Sequence, residues 1–305
     1  VDYITTRREV GDASTLNATG NIILSAAGDV SVLASDLTAG DDIALSAGGS
    51  ASLDELVEED TTFIETTFHY CDEGQCESYS LGKNLIGTTN SEGSSATAGG
   101  TISISAGDGD ASVIGSALAA GVNNENSATG NIRVTSIAGD AFIQGALNSH
   151  FGTETWESSQ LNASGNITVQ GQNTSIDGSQ LHADGNINLS ANSTDGNLSL
   201  SGAIANNTIK GTSYWRREST QTHSATPLDA GGEISLQSQN DLSVDAVQAN
   251  AGGDINLNAL GELTIGTETL HEKADWRLYI GRGRTVSKGT ESTINIISSF
   301  TAGGD

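Results

Sequence analysis

The stretch LNASGNITVQGQNTSIDGSQLHADGNI, Leu161 to Ile187, states one phrase twice. An apolar residue, any residue, Ala, one or two small residues, Gly, and then Asn or an acidic residue lead to Ile, and the two Ile anchors lie 20 residues apart. The phrase recurs outward in both directions. Before it come LNATGNI ending at Ile22, LTAGDDI at Ile43, ATAGGTI at Ile102 and a weaker SATGNI at Ile132. After it come LDAGGEI at Ile234, ANAGGDI at Ile255 and an opening FTAGGD from Phe300 to Asp305. The steps Ile22 to Ile43 and Ile234 to Ile255 are 21 residues, so a unit of that length is the minimum, and longer gaps are the same unit carrying an insertion.

Within a unit the apolar residues alternate with polar ones: Ile22 and Leu24, Val30 and Val32, Leu37 and Ala39. A period of two means strand, and the breaks at Gly28-Asp29 and near Ser35-Asp36 divide each unit into three short strands. Three such strands bury no core alone, so units must stack, each strand pairing in parallel with its equivalent one unit later. The expected fold is all-β: a right-handed parallel β-helix of about eight coils, ~21 residues each, formed by residues 1–305 as one segment. Ile22, Ile43, Ile102, Ile132, Ile167, Ile187, Ile234 and Ile255 should line one wall. Leu24, Leu45, Ile104, Val134, Val169, Leu189, Leu236 and Leu257 should form the row beside them. The Gly of each phrase is expected at positive φ, and stacked Asn and Asp at equivalent turns are expected to bond to the next coil.

The 305 residues include 38 Gly, one Pro and no Met, and 12 Lys plus Arg stand against 38 Asp plus Glu, a net charge of −26. That charge opposes binding to nucleic acid or an anionic membrane surface, and no apolar run is long enough for a membrane span. The chain reads as an excised piece of something larger. Insertions are placed at about 54–95, 117–127, 146–158, 204–227 and 267–299, all at one point of the unit, so all should emerge along one edge as hairpins. They hold all three Trp, both Cys and 9 of the 12 basic residues, which puts any stacking or guanidinium contact in the protrusions.

The LxAGGDI-type phrase near a period of 21, interrupted by Thr- and Ser-rich insertions such as DTTFIETT (Asp60 to Thr67) and STQTHS (Ser219 to Ser224), resembles the haemagglutinin repeats of filamentous haemagglutinin. It is similar also to the sticks of contact-dependent growth inhibition systems. The resemblance implies a β-helical exoprotein on the surface of, or secreted by, a Gram-negative bacterium. Its partners would be a two-partner secretion transporter in the outer membrane and a protein or glycan receptor on a target cell. No cofactor is expected. In a secreted protein, Cys71 and Cys76 in HYCDEGQCESY suit a disulfide at a hairpin tip; free thiols, or a zinc site with His69, are the alternatives.

Two groups are candidates for partner binding: Trp276, Arg277, Tyr279, Arg282, Arg284 and Lys288 in the last insertion, and Tyr214, Trp215, Arg216 and Arg217 in the one before. The simpler explanation of each is structural: hairpins whose cations lie back on an acidic rod and whose rings cover its apolar edge. The acids Asp54, Glu55, Glu58, Glu59 and Asp60 read as a solvated face rather than a Ca²⁺ site, since EF-hand spacing is absent. A polysaccharide-cleaving enzyme is the rival class, but the turn acids Asp29, Asp110 and Asp140 are explained by turn geometry, and no nucleophile or metal site is expected. The sequence therefore points to a non-catalytic spacer and adhesive or target-recognition surface, with a toxin-delivering stick as runner-up.

Overall fold

The computed structural model describes residues 3–8, 13–72, 75–122, 129–150, 153–210, 216–279 and 285–304, with backbone alone in the outer parts of the hairpins. The described chain is strand and turn throughout, wound into coils with three parallel walls. The Ile anchors open the strands of an 8-stranded sheet, and the Leu-x-Ala strands form a 9-stranded sheet. The third wall is part of a 16-stranded sheet that continues into the hairpins.

Alternation decides which residues enter the core. In Ile167–Gly171, Ile167 and Val169 are buried while Thr168 and Gln170 are half exposed. The anchors stand opposite one another from coil to coil, Ile22 to Ile43, Ile102, Ile132, Ile167, Ile187, Ile234 and Ile255, and the Leu24 to Leu257 row runs beside them in the same register. Leu118, Leu161, Leu181 and Leu228 fill the second wall, and Val113, Ile143, Ile176 and Leu200 the third, all fully enclosed. Each such side chain contributes ~1.5–3 kcal/mol by leaving water.

Turns between the walls are held by side-chain ladders. At the first turn Asn21 Oδ1 accepts the Asp42 N–H, and farther along Asn131, Asn166 and Asn186 accept the N–H groups of Asn166, Asn186 and Glu233. The second turn carries a longer series. Asp29, Asp110, Asp140, Asn173, Asn197 and Asp241 each accept from the backbone of the next coil, and Ser50 continues the series by donating its N–H to Asp29 while its Oγ accepts the Asp110 N–H. At the third, Ser94, Ser116 and Ser159 are buried, each Oγ accepting the preceding coil's N–H. The same hydroxyls donate to carbonyls such as Ile114 O and Gln144 O, which leaves none unsatisfied.

Two expectations are corrected. The phrase glycines are not at positive φ, apart from Gly121 in the one interrupted copy; among described glycines only Gly115 and Gly178 share that conformation. Gly40 and Gly252 are instead excluded from bearing a side chain by the coil beneath: a Cβ would lie 2.0 Å from Thr19 O and 2.2 Å from Gly231 O. The second insertion does not begin at residue 117. Ala117–Ala120 is a coil strand, paired with Ser95–Ala98 on one side and Gln160–Ala163 on the other. The phrase here is split, LAAG at Leu118 to Gly121 and GNI at Gly130 to Ile132, so the extra residues leave from a different corner than the hairpins do.

Candidate functional site

The remaining insertions are four antiparallel hairpins: Leu56–Asp72 with Gln75–Glu92, Ala146–His150 with Thr153–Glu157, Ala203–Lys210 with Arg216–Ser224, and Leu263–Tyr279 with Thr285–Ile297. They do not project singly. Thr89 pairs with Ser149, Thr153 with Asn207, and Arg216 to Ser219 with Trp276 to Lys273, so the hairpins join into one antiparallel sheet along a flank of the rod. Strand Tyr3–Arg8 adds to the far edge against Leu56–Asp72. Side-chain amides bridge neighbours: Asn148 Oδ1 accepts from Ser91 Oγ at 2.8 Å, Asn207 Oδ1 from Glu154 N at 3.0 Å, and Gln221 Oε1 from His271 N at 2.6 Å.

This sheet brings together two groups that are 60 residues apart in sequence and rearranges them. Arg216, Trp276 and Lys288 occupy one register row across three adjacent strands. Arg217 is opposite Asp275, and Arg277 and Tyr279 alternate with Trp276, which places Arg217, Arg277 and Tyr279 on the other face of the sheet. Lys288 is exposed. Tyr214, Trp215, Arg282 and Arg284 lie outside the described residues, as do the side chains of Arg216, Arg217, Trp276, Arg277 and Tyr279. Cys71 and Cys76 face each other across the first hairpin near its tip, their side chains likewise outside what is described.

The hairpin roots hold residues that the sequence reading passed over. Trp156 donates its indole N–H to Gly178 O at 3.0 Å and lies across Gly145 and Gly178, where a Cβ would come within 2.1 and 2.2 Å of its nitrogen. His223 covers Gly202 in the same manner, and its Nε2 lies 2.9 Å from Glu268 Oε2 of the next hairpin. At that distance the two atoms are paired, yet neither meets the geometry of a hydrogen bond. Burial pushes the His223 pKa down, and burial, then the Asp245 and Asp177 charges, push Glu268 up. No spacing rule marks these residues; the only signal was a small residue at each coil corner.

In the acidic cluster, Asp54 accepts from Ser112 Oγ at 3.0 Å and Glu55 keeps Oε2 buried and unpartnered. Burial raises both pKa values, more than the hydrogen bonds to Asp54 from Ser52, Ser112 and the Ile114 backbone lower it. For Glu55 the neighbouring Asp54 and Glu157 charges add to the rise. The turn acids Asp29, Asp110 and Asp140 are engaged as ladder acceptors. Among the described residues no helix is long and apolar enough to cross a membrane.

The family model for the hemagglutinin repeat matches residues 77–141 and 192–275. No curated protein and no solved structure matches the chain. Both matched stretches contain coil strands together with hairpin strands, the same alternation that builds the rod and its flank, and over these two stretches the chain carries hemagglutinin repeats.

Proposed function

We propose that this segment is a non-catalytic, rigid spacer in a secreted, surface-displayed filamentous exoprotein, and that its hairpin sheet is an adhesion or target-recognition surface. The observation that supports this most is the register row Arg216, Trp276, Lys288: a tryptophan position between two basic positions, on a sheet that several hairpins brace. Elsewhere the coils are acidic and small, with Arg133 the one basic residue on their described strands. A protein or anionic glycan on a target cell is the partner this row suits, and an outer-membrane transporter of the two-partner type is the export route. In the oxidising environment outside the cell, Cys71 and Cys76 form a disulfide; opposed residues of an antiparallel pair have Cα atoms about 4.5–5.5 Å apart, within disulfide reach.

The test is binding of the labelled segment to panels of epithelial and bacterial cells. Arg216→Ala with Trp276→Ala should abolish binding while the thermal midpoint stays unchanged. Undiminished binding by the double variant, or loss in proportion to lost stability, would reject the surface reading.

A further inference from the structure

A groove of about 610 Å³ runs where the second hairpin leaves the rod, apart from the Arg216 row. Its floor is the outward file of the Leu-x-Ala wall, in which Ser95, Ala117, Gln160 and Gln180 follow one another from coil to coil. Strand spacing sets the step along this floor at ~4.8 Å, close to the length of one pyranose residue. Trp156, Glu157 and Ser158 form the side wall, and Ser224 of the third hairpin closes it. We propose that this groove binds an uncharged saccharide chain lying along the rod.

The lining matches that ligand and disfavours others. Gln160 and Gln180 are exposed, and their amides make no hydrogen bond within the described protein, so both donors and the acceptor of each are available. Alternating donors and acceptors suit sugar hydroxyls, which play both roles. Trp156 is half-buried and locked by its bond to Gly178 O, a ring held in place before any ligand arrives. Among the described residues no cation lines the groove, and Glu157 does, so a sialylated or sulfated chain meets repulsion without a counter-charge. Behind Gly115, which also lines the groove, Glu55 presents a buried oxygen without a partner; a Cβ on Gly115 would sit 3.3 Å from it. A lysine-rich peptide would be drawn to Glu157 but would leave the two amides and the Trp156 ring idle.

The test is an array of neutral oligosaccharides (chito-, cello-, manno- and galacto-series), sialylated and sulfated glycans, and lysine-rich peptides. It is probed with the intact segment and followed by calorimetry on any hit. Binding should be confined to neutral glycans. Gln160→Ala with Gln180→Ala should weaken it about tenfold at an unchanged thermal midpoint, from the loss of two hydrogen-bonding groups. Trp276→Ala should leave it unchanged, which separates this groove from the cell-binding row: either site can fail alone. No binding to neutral glycans, binding only to anionic glycans or peptides, or neutral binding indifferent to the two Gln substitutions would each overturn the assignment.

Discussion

Gly178 and Gly28 are the same residue in two different situations, and the difference is measurable. At Gly178 φ is +51°, and a Cβ would lie 2.2 Å from Trp156 Nε1 and 2.5 Å from the Ala203 Cβ. At Gly28 no atom lies within 4 Å of the added carbon, and φ is not in the left-handed region. Gly178→Ala should therefore cost more than ~2 kcal/mol, combining backbone strain with displacement of the indole, while Gly28→Ala should change stability by less than ~1 kcal/mol. Urea denaturation of the two variants checks this, and equal midpoints would mean that the corner does not hold Trp156. That glycine matters was legible from its recurrence in the phrase. Why it matters was not, because the contact at Gly40 or Gly252 is with a carbonyl one coil away, and a sequence shows recurrence without the distance between coils. The turn acids were read correctly in kind, since an Asp or Asn repeated at one turn has a single geometric use in a stack.

Strands were legible for a simple reason: alternation at Ile22-Leu24 or Val30-Val32 is a local property, and stacking copies of one local pattern leaves a single consistent register. The hairpins were legible as insertions but not as a sheet. Pairing Ser149 with Thr89, or Trp276 with Arg216, depends on how far each hairpin leans toward its neighbour across about 60 residues of chain, and no periodicity encodes that. The second insertion was misplaced because the phrase there is cut in two, and its complete-looking half, SATGNI, lacks the leading Leu. At this scale the first hairpin gives a prediction. Its proposed disulfide closes a loop with four residues between the cysteines, which constrains the tip by about 2 kcal/mol in the chain-entropy estimate and leaves the coils untouched. Thiol titration of the unreduced, denatured segment should find no free thiol. In the double variant Cys71→Ser, Cys76→Ser, hydrogen exchange should quicken at Thr67 to Ser80 only, with protection at Ile102 or Ile167 unchanged. Two titratable thiols in freshly isolated protein would contradict the pairing.

Across the whole molecule, overall charge and the burial of carboxyls act on stability in the same direction. At −26 the rod repels itself, and that repulsion falls as carboxylates take up protons. Asp54, Glu55 and Glu268 have folded pKa values raised above 3.8, 4.5 and 4.5, so each stabilises the fold fully below those values and loses that contribution as pH rises through the raised value. His223 acts oppositely: its folded pKa lies below 6.5, and stability is lost as pH falls from there. The overall repulsion adds to three carboxyls against one imidazole, so the thermal midpoint should be higher at about pH 4.5, the ordinary carboxyl value, than at about pH 7. Salt separates the two causes. At about 1 M the Debye length is ~3 Å, which removes repulsion between surface charges but not the penalty of a buried carboxylate. Part of the pH difference should therefore survive in high salt, and Glu268→Gln should shrink that surviving part, because the amide keeps its place beside His223 without a charge to bury. A pH difference that salt abolishes entirely would assign the effect to surface charge and leave the buried groups without influence; a midpoint that falls on acidification would show that His223 governs the hairpin roots instead.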